Sequence, residues 1–178
     1  SVDFDGYVYL ASSEPAVHKI DPNGNNVWIY TGNSGYVNCV DVDSNGYVYS
    51  GDNYYYVHKI DPDGNNVWVY KEHSGYVYGV VVDFDGYVYS ASGDKSVHKI
   101  DSNGNNVWKY TEHYGEVRGV AVDDYGNVYS ASYDNEVHKI DSDGNNIWKY
   151  TEHSKEVLAV SVLSYPANKA GNNAPDPP

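Results

Sequence analysis

The chain of 178 residues carries 11 Lys and Arg against 25 Asp and Glu, which gives a net charge of −14. An acidic surface of this kind repels nucleic acid and anionic membranes, and no apolar run reaches the ~20 residues of a membrane span, so neither nucleic-acid binding nor membrane insertion is expected. The 21 Tyr, 4 Trp and abundant Val favour β-structure and predict an all-β fold with almost no helix.

Two features bear on the cellular compartment. Cys39 is the single cysteine, which excludes an intrachain disulfide framework, and its apolar flanks predict a buried thiol. The sequence opens with Ser1 rather than Met, as expected either of an N-terminus left by removal of a secretory signal or of a fragment. We therefore expect an extracellular or cell-surface protein, with the periplasm as the alternative.

A period of 40 residues runs through the chain without drift. It separates successive copies of two residue types: Trp28, Trp68, Trp108 and Trp148, and His18, His58, His98 and His138. Tandem units of this length indicate a propeller, a solenoid or an array of small units.

The unit that covers residues 116 to 150 predicts four short strands. Alternating Val, Tyr and Ile residues place them at 116–123, 127–132, 136–141 and 145–150, with turns rich in Asp and Gly between them. Four antiparallel strands per repeat form one propeller blade, and helical solenoids are excluded because no 3.6-residue period is present. The predicted fold is a β-propeller of four-stranded antiparallel blades, with four blades over residues 1–163.

Two stretches carry a resemblance to known repeat families. "EHSGYVYGVVVDFDGYVYSASGDKSVHKID" (72–101) resembles a WD-repeat blade, with Ile-Asp in place of the Trp-Asp that names the family. "GYVYSASGDKSVHKIDSNGNNVWKY" (86–110) resembles the PQQ-like repeats. Both resemblances imply a propeller. The quinone chemistry of PQQ enzymes is not carried over, because no matching ligand cluster is present, and no cofactor is expected.

The WD-repeat resemblance implies a buried hydrogen-bond network in each blade. His73, His113 and His153 match the family's histidine, and the implied partners are Ser90 and Asp94 for His73, and Ser130 and Asp134 for His113. His153 would face the first blade, where Glu14 stands in place of the Asp, and Asn33 replaces the histidine of the first repeat. A Ser-His-Asp hydrolase would need one copy distinguished by an oxyanion site, and none is, so we predict no catalytic residue and no enzyme.

Two repeated patterns could in principle bind metal. The Asp-x-[Asn/Asp]-Gly-Asn-Asn segments lack the EF-hand positions of Gly and Glu, so hairpin turns are favoured over calcium sites. A ring formed by His18, His58, His98 and His138 would require all four side chains to reach a central channel, and packing against the next blade is favoured instead. We predict no metal site.

The connections between strands vary while the frame residues stay nearly constant, and such loops usually carry recognition. The run Tyr54, Tyr55, Tyr56 is the best candidate for an interaction surface, because tyrosine offers contact area with a polar end. The same surface is predicted to include Tyr36, Tyr76, Tyr78 and Tyr114. The alternative is that these tyrosines only cover blade edges.

The C-terminal part departs from the repeat. Residues 157–162 (Val157, Leu158, Ala159, Val160, Ser161, Val162) follow the first-strand pattern, and the first blade lacks most of its innermost strand. We predict closure by this strand within one chain, between two chains to give eight blades, or along a row of chains. Residues 164–178 are rich in Pro and Asn and are predicted to form a linker or a docking arm.

These patterns favour a structural or interaction protein that self-associates through the terminal strand and the C-terminal arm. Repetition of a frame suits an assembly subunit, with itself or another surface protein as partner, in an envelope or extracellular setting. The alternative is a multivalent lectin-like binder with one weak glycan site per blade.

Overall fold

The structure is a computed structural model that describes residues 1–162. In this range it contains fifteen β-strands and no helix, so it has no helix that could cross a membrane. The strands are β1 Val8–Ala11, β2 Val17–Ile20, β3 Asn26–Tyr30, β4 Val37–Val42, β5 Val48–Asp52, β6 Val57–Ile60, β7 Asn66–Tyr70, β8 Val77–Val82, β9 Val88–Ser92, β10 Val97–Ile100, β11 Asn106–Tyr110, β12 Val117–Val122, β13 Val128–Ser132, β14 Val137–Ile140 and β15 Asn146–Tyr150.

The strands form four antiparallel sheets, one per repeat. Blade 1 contains β1 to β3, blade 2 β4 to β7, blade 3 β8 to β11 and blade 4 β12 to β15, each in sequence order across the sheet. Blade 1 has three strands, supplemented by a single bridge between Val2 and Val8. The predicted all-β propeller fold with four blades is confirmed, and the predicted strands of blade 4 agree with the observed ones to within one residue at each end.

The hairpin between the last two strands of each blade is stabilised by its Asp and Asn side chains. Asp61 Oδ1 accepts hydrogen bonds from the backbone N–H groups of Asp63 and Asn65 at 3.0 and 2.7 Å, and Asn65 Nδ2 donates to Asp61 Oδ2 at 3.0 Å. Gly64 takes a φ of +89°, which glycine adopts without steric cost. The carboxylate is fully engaged by its own turn, which favours the turn interpretation of this motif over a calcium site.

A second repeated hydrogen-bond arrangement connects the first hairpin of each blade to the core. In blade 3, the carboxylate of Asp83 accepts the backbone N–H of Tyr87 at 2.9 Å and the hydroxyl of Tyr89 at 2.9 Å. Tyr89 is fully buried, and its burial together with the nearby Asp83 raises the pKa of the phenol far above its ordinary value. A buried hydroxyl therefore has a charged acceptor and fixes the turn to the second strand.

The hydrophobic core lies between blades rather than within one. Blade 3 contributes Tyr89, Val97 and Tyr110 to one such core, and blade 4 contributes Val128 and Ile140. The same positions pack between blades 1 and 2 and between blades 2 and 3. A single blade leaves one apolar face uncovered, so each blade depends on a neighbour for its burial.

We call the polar contact that accompanies each of these cores a seam. At the seam between blades 3 and 4, the indole N–H of Trp108 donates to the carbonyl of Ser142 at 3.0 Å. The hydroxyl of Tyr110 lies 2.7 Å from His138 Nδ1 and accepts from Asn146 Nδ2 at 2.8 Å. The two earlier seams use Trp28 and Tyr30 with Pro62, His58 and Asn66, and Trp68 and Tyr70 with Ser102, His98 and Asn106.

Closure by residues 157–162 within the chain is not formed in the structure. This segment is not a strand and does not pair with β1. It lies beside β12, where a Cβ added to Gly119 would be 2.9 Å from the Cα of Ala159, and Val157 N donates to the carbonyl of Ser132 at 3.0 Å. The segment thus follows the path of an innermost strand of a further blade without a partner strand. Closure between chains stays a prediction, and the tail 164–178 lies outside the described residues.

Burial between blades predicts a large difference between two isoleucines. Ile100 is fully buried between blades 2 and 3, whereas Ile147 on the outer strand of blade 4 is 48% exposed. Replacement of a buried Ile by Ala costs about 2–5 kcal/mol through lost transfer energy and a cavity, and surface replacements change stability by roughly 0.5 kcal/mol or less. We expect Ile100→Ala to lower the urea midpoint strongly and Ile147→Ala to leave it nearly unchanged. Equal effects of the two variants would contradict the inter-blade core.

Candidate interaction surface

The structure brings together two of the histidine networks that the WD-repeat resemblance implies. His73 Nδ1 lies 2.9 Å from Asp94 Oδ2, and its Nε2 lies 2.8 Å from the hydroxyl of Ser90. His113 repeats this arrangement in blade 4, at 2.9 Å from Asp134 and 2.8 Å from Ser130. Ser90 and Ser130 are fully buried, so each serine is enclosed by the blade.

Each network continues into the seam through a second histidine. The rings of His73 and His98 stack with their centroids 3.9 Å apart, and those of His113 and His138 stack at 3.8 Å. Burial and the neighbouring His138 lower the pKa of His113 to about 4. Burial of Asp94 opposes its ionisation, yet the hydrogen bond and charge of His73 outweigh this and hold the pKa of Asp94 well below its ordinary value.

The two remaining positions depart from this pattern in the structure, including His153, which was predicted to belong to such a network. In blade 2, Asn33 takes the histidine's place and its Nδ2 donates to the hydroxyl of Ser50 at 3.2 Å. His153 is exposed, and within the described residues its ring packs edge-on against Tyr150 at 5.1 Å. It is not brought together with a serine or a carboxylate.

Among residues 1–162, one group of side chains is close enough to suit a metal ion. The ligand atoms of His73, Asp94 and His98 all lie within 4.8 Å of one another. However, the hydroxyls of Tyr70 and Ser96 already lie 2.6 and 3.0 Å from the two ring nitrogens of His98, and both nitrogens of His73 are engaged as described. Stacked rings with occupied nitrogens favour a hydrogen-bond network over a metal centre.

Three of the tyrosines predicted for an interaction surface lie close together in the structure. The rings of Tyr55 and Tyr76 lie 5.8 Å apart, and Tyr76 meets Tyr78 edge-on at 6.0 Å. Tyr55 has a φ of +77°, at a turn position where Lys95 and Asn135 also take positive φ. This backbone conformation costs more free energy for tyrosine than for asparagine. Strained residues of this kind cluster at functional sites, which favours a functional role for this surface.

Two members of this surface were not found from the sequence. The guanidinium of Arg118 lies over Tyr78 at 3.6 Å and over Tyr133 at 4.2 Å, and it is paired with Glu116. We define the tyrosine patch by these residues: Tyr55, Tyr76, Tyr78, Arg118 and Tyr133. A signal existed, because Arg118 is the only arginine of the chain and its repeat equivalents are Asn38, Tyr78 and Leu158.

The other predicted tyrosines lie on the same rim at the loops that flank the patch. Tyr36, Tyr54 and Tyr114 are exposed, and Tyr36 O accepts the backbone N–H of Asn53 at 3.0 Å. Tyr56 is half-buried, with the ammonium of Lys71 over its ring at 5.0 Å. These residues make no ring contact with the patch, so they extend its exposed aromatic area without belonging to its packed cluster.

Cys39 lies in the innermost strand of blade 2, partly covered by Gly51 and Val77. Its sulfur is 3.9 Å from the carbonyl of Gly51 and 4.0 Å from that of Val77. Burial raises the pKa of the thiol to about 12, which suppresses the reactive thiolate. The side chain is therefore a packing element of the core.

Comparison with known proteins agrees with this architecture. A family model described as "Outer membrane protein assembly factor BamB" matches residues 55–173. No curated protein matches the chain significantly. A chain in the solved structure titled "Crystal Structure of Mitotic Checkpoint Complex" is similar with a TM-score of 0.82 and 18% identity, over 89% of this chain. This chain spans about half of that one, 52%, and the likeness shows the fold alone.

The buried histidines predict a loss of stability in mild acid. The pKa of His113 is about 4 in the folded chain and about 6.5 in an unfolded chain. Between these values the unfolded chain binds a proton that the folded chain excludes, so the free energy of unfolding falls as the pH drops from about 6.5 to about 4. His113→Asn, which copies Asn33 of blade 2, should make this dependence shallower by up to about 1.4 kcal/mol per pH unit.

The measurement is the free energy of unfolding in urea at several pH values between 4 and 7. Ile100→Ala serves as the control, because it destabilises the chain without removing a histidine and should keep the original slope. A slope in His113→Asn equal to that of the unmodified chain would show that this histidine does not report on folding.

Proposed function

This chain belongs to the family described as outer membrane protein assembly factor BamB, and from that premise we propose that it is a non-enzymatic interaction propeller. The tyrosine patch carries this proposal. It presents exposed aromatic rings with a guanidinium on one rim, a combination typical of protein-binding surfaces. The family description refers to assembly at the outer membrane, which supports a periplasmic, cell-surface or extracellular setting.

The side chains that could perform chemistry are already hydrogen-bonded to one another inside the blades. Ser130, the hydroxyl that would act as a nucleophile beside His113, is fully buried. A substrate could reach it only if blade 4 opened. The same arrangement occurs at Ser90 in blade 3, so neither copy has asymmetric surroundings of the kind that an active site requires. These features support an interaction role over a hydrolytic one.

The proposal includes self-association through residues 157–162. Leu158 is 61% exposed, and Val160 lies beside β12 without a partner strand. An unpaired segment with the residue pattern of a first strand is suited to pairing with β1 of another copy, which would complete its blade. Pairing of this kind gives a closed ring of eight blades from two copies or a row of copies, and the arm 164–178 is proposed to support the same contact.

Backbone pairing by this segment can be tested with a matched pair of double variants. Ala159→Pro with Ser161→Pro removes two N–H donors, whereas Ala159→Val with Ser161→Val keeps them and favours a strand. We expect the unmodified chain and the valine variant to have a native mass at least twice 19.8 kDa by light scattering, and the proline variant to approach the single-chain mass.

A single-chain mass for all three proteins at every concentration would contradict self-association. An identical multiple for all three would show that the copies join without strand pairing.

A glycan-binding role is the second candidate, and the exposed rings of the tyrosine patch favour it. Sugars stack on exposed aromatic rings, and Tyr76 and Tyr133 are 45% and 40% exposed. If the patch binds glycans, Tyr76→Ala should abolish retention on a glycan array, while Tyr125→Ala, which removes a ring that is 87% exposed and outside the patch, should retain it. Absence of glycan retention by the unmodified chain would leave protein recognition as the patch's role.

A further inference from the structure

A seam has two sides: the Trp and Tyr of one blade, and the hairpin glycine, His and Asn of the next blade. The last blade exposes the first of these sides, and the first blade exposes the second. On the last blade, Tyr150 is 44% exposed, whereas its equivalent Tyr110 is 3% exposed. Trp148 is also exposed, and within the described residues its indole N–H has no hydrogen-bond acceptor, unlike that of Trp108. Val137, Trp148 and Tyr150 line an open apolar surface of this blade.

The first blade exposes the opposite half. A Cβ added to Gly64, Gly104 or Gly144 would lie 3.0 Å from the tryptophan ring of the preceding blade, but one added to Gly24 would meet nothing within 4 Å. Ile20 is only half-buried, although Ile140 at the same position is fully buried. This blade therefore lacks the tryptophan and tyrosine that cover the equivalent face of each later blade.

The repeat pairs these two faces residue by residue. In all three internal seams the indole N–H reaches a carbonyl 34 residues later, and the tyrosine hydroxyl reaches a histidine 28 residues later and an asparagine 36 residues later. Four repeats of 40 residues make one array, so the fourth set of partners falls on the first blade. Trp148 corresponds to the carbonyl of Pro22 above Gly24, and Tyr150 corresponds to His18 and Asn26.

We propose that the blade 4 face of one copy docks onto the blade 1 face of a second copy and forms a fourth seam, with Trp148 over Gly24 and Tyr150 between His18 and Asn26. This inference rests on the proposed self-association and specifies its contact surface. It differs from strand pairing, because the face contact is made by side chains of β15 and the hairpin between β2 and β3, whereas strand pairing involves residues 157–162.

His153 is placed to contribute to the same proposed seam between two copies. In blades 3 and 4, the histidine ahead of the first strand stacks on the third-strand histidine of the same blade, His73 on His98 and His113 on His138. His153 stands ahead of the segment 157–162, and its stacking partner by the same spacing is His18. His18 carries Glu14 at 3.8 Å, which takes the place of the aspartate that accepts from His113. The exposed His153 thereby gains a stacked ring and a carboxylate in the second copy.

We take a second copy as the occupant because both faces are uncovered in the described residues and each matches the other as the two sides of an internal seam do. In the described residues, Trp148 and Gly24 do not contact each other, and the surfaces around them are solvent-exposed. In the internal seams, the Trp and Tyr face of one blade packs on a face of the next repeat that presents Gly, His and Asn. Blade 1 of a second copy offers the same three residue types to Trp148 and Tyr150. A head-to-tail contact of this kind closes into a ring with two copies or continues as a filament.

A glycine substitution separates this contact from strand pairing. Gly24→Asn adds a side chain where the ring of Trp148 would lie, and asparagine tolerates the positive φ of +85°. Gly86→Asn is the control, since Gly86 has a φ of +82°, has open space beyond it, and lies outside the proposed joint. We expect Gly24→Asn to raise the dissociation constant of the assembly about tenfold or more and Gly86→Asn to leave it unchanged, as measured by light scattering over a dilution series.

Tryptophan emission gives the second readout. Trp148 is exposed in the single chain, so its emission should shift to the blue as the chain assembles, and Gly24→Asn should delay that shift to higher concentration. An assembly whose mass responds to the proline variant at 159 and 161 but not to Gly24→Asn would overturn the face contact and leave self-association standing. A chain of single mass at all concentrations would overturn both, and a blue-shifted Trp148 at single mass would show that the faces close within one chain.

Discussion

A blade of this protein completes its hydrogen bonding only when another blade is placed against it. The indole of Trp108 and the hydroxyl of Tyr110 are polar atoms on large apolar side chains, and burial without acceptors would cost each of them a few kcal/mol. Both find partners on the next blade, in Ser142, His138 and Asn146. Burial of the apolar rings and satisfaction of their polar atoms therefore occur together wherever two blades meet.

This arrangement divides the molecule between frame and variable loops. The histidine, serine and aspartate of each network are enclosed by the blade. Substitution of any of them therefore alters the packing between two blades. The tyrosine patch combines two first-strand residues, Tyr78 and Arg118, with tyrosines from the loops that precede the first strand or join the second and third strands, and the repeats differ at these positions. Tyr55 or Tyr133 of the proposed interaction surface can therefore change while the seams that hold the blades together keep the same residues.

The extent to which the sequence predicted this structure depended on how local each signal was. The strands of blade 4 were located because short turns containing Asp separate them, and these turns make their own hydrogen bonds within five residues, as at Asp141 to Asn145. The partners of His73 and His113 were implied by the resemblance to WD-repeat blades. The contact of Arg118 with Tyr78 and Tyr133 was not predicted, because it joins neighbouring blades and depends on how one is rotated against the other.

The predicted closure by residues 157–162 also depended on a contact that the sequence pattern alone does not specify. Residues 157–162 have the apolar pattern of a first strand, yet a pattern specifies only what a segment can pair with. A strand also requires a partner with free backbone groups, and in the described residues this segment has β12 on one side only. The exposed faces of blades 1 and 4 have the same origin: the repeat specifies both halves of a seam, and the ends of the array separate them.

The indole N–H groups provide the most direct measurement of the central claim, that the seam is the unit on which the fold depends. In a 15N-labelled sample kept dilute enough to hold single chains, exchange of the four indole protons with water can be followed one signal at a time. We expect slow exchange at Trp28, Trp68 and Trp108, whose N–H groups are bonded across seams, and fast exchange at Trp148. Equally fast exchange at all four would show that the seams are open in solution, so that the fold could not depend on them.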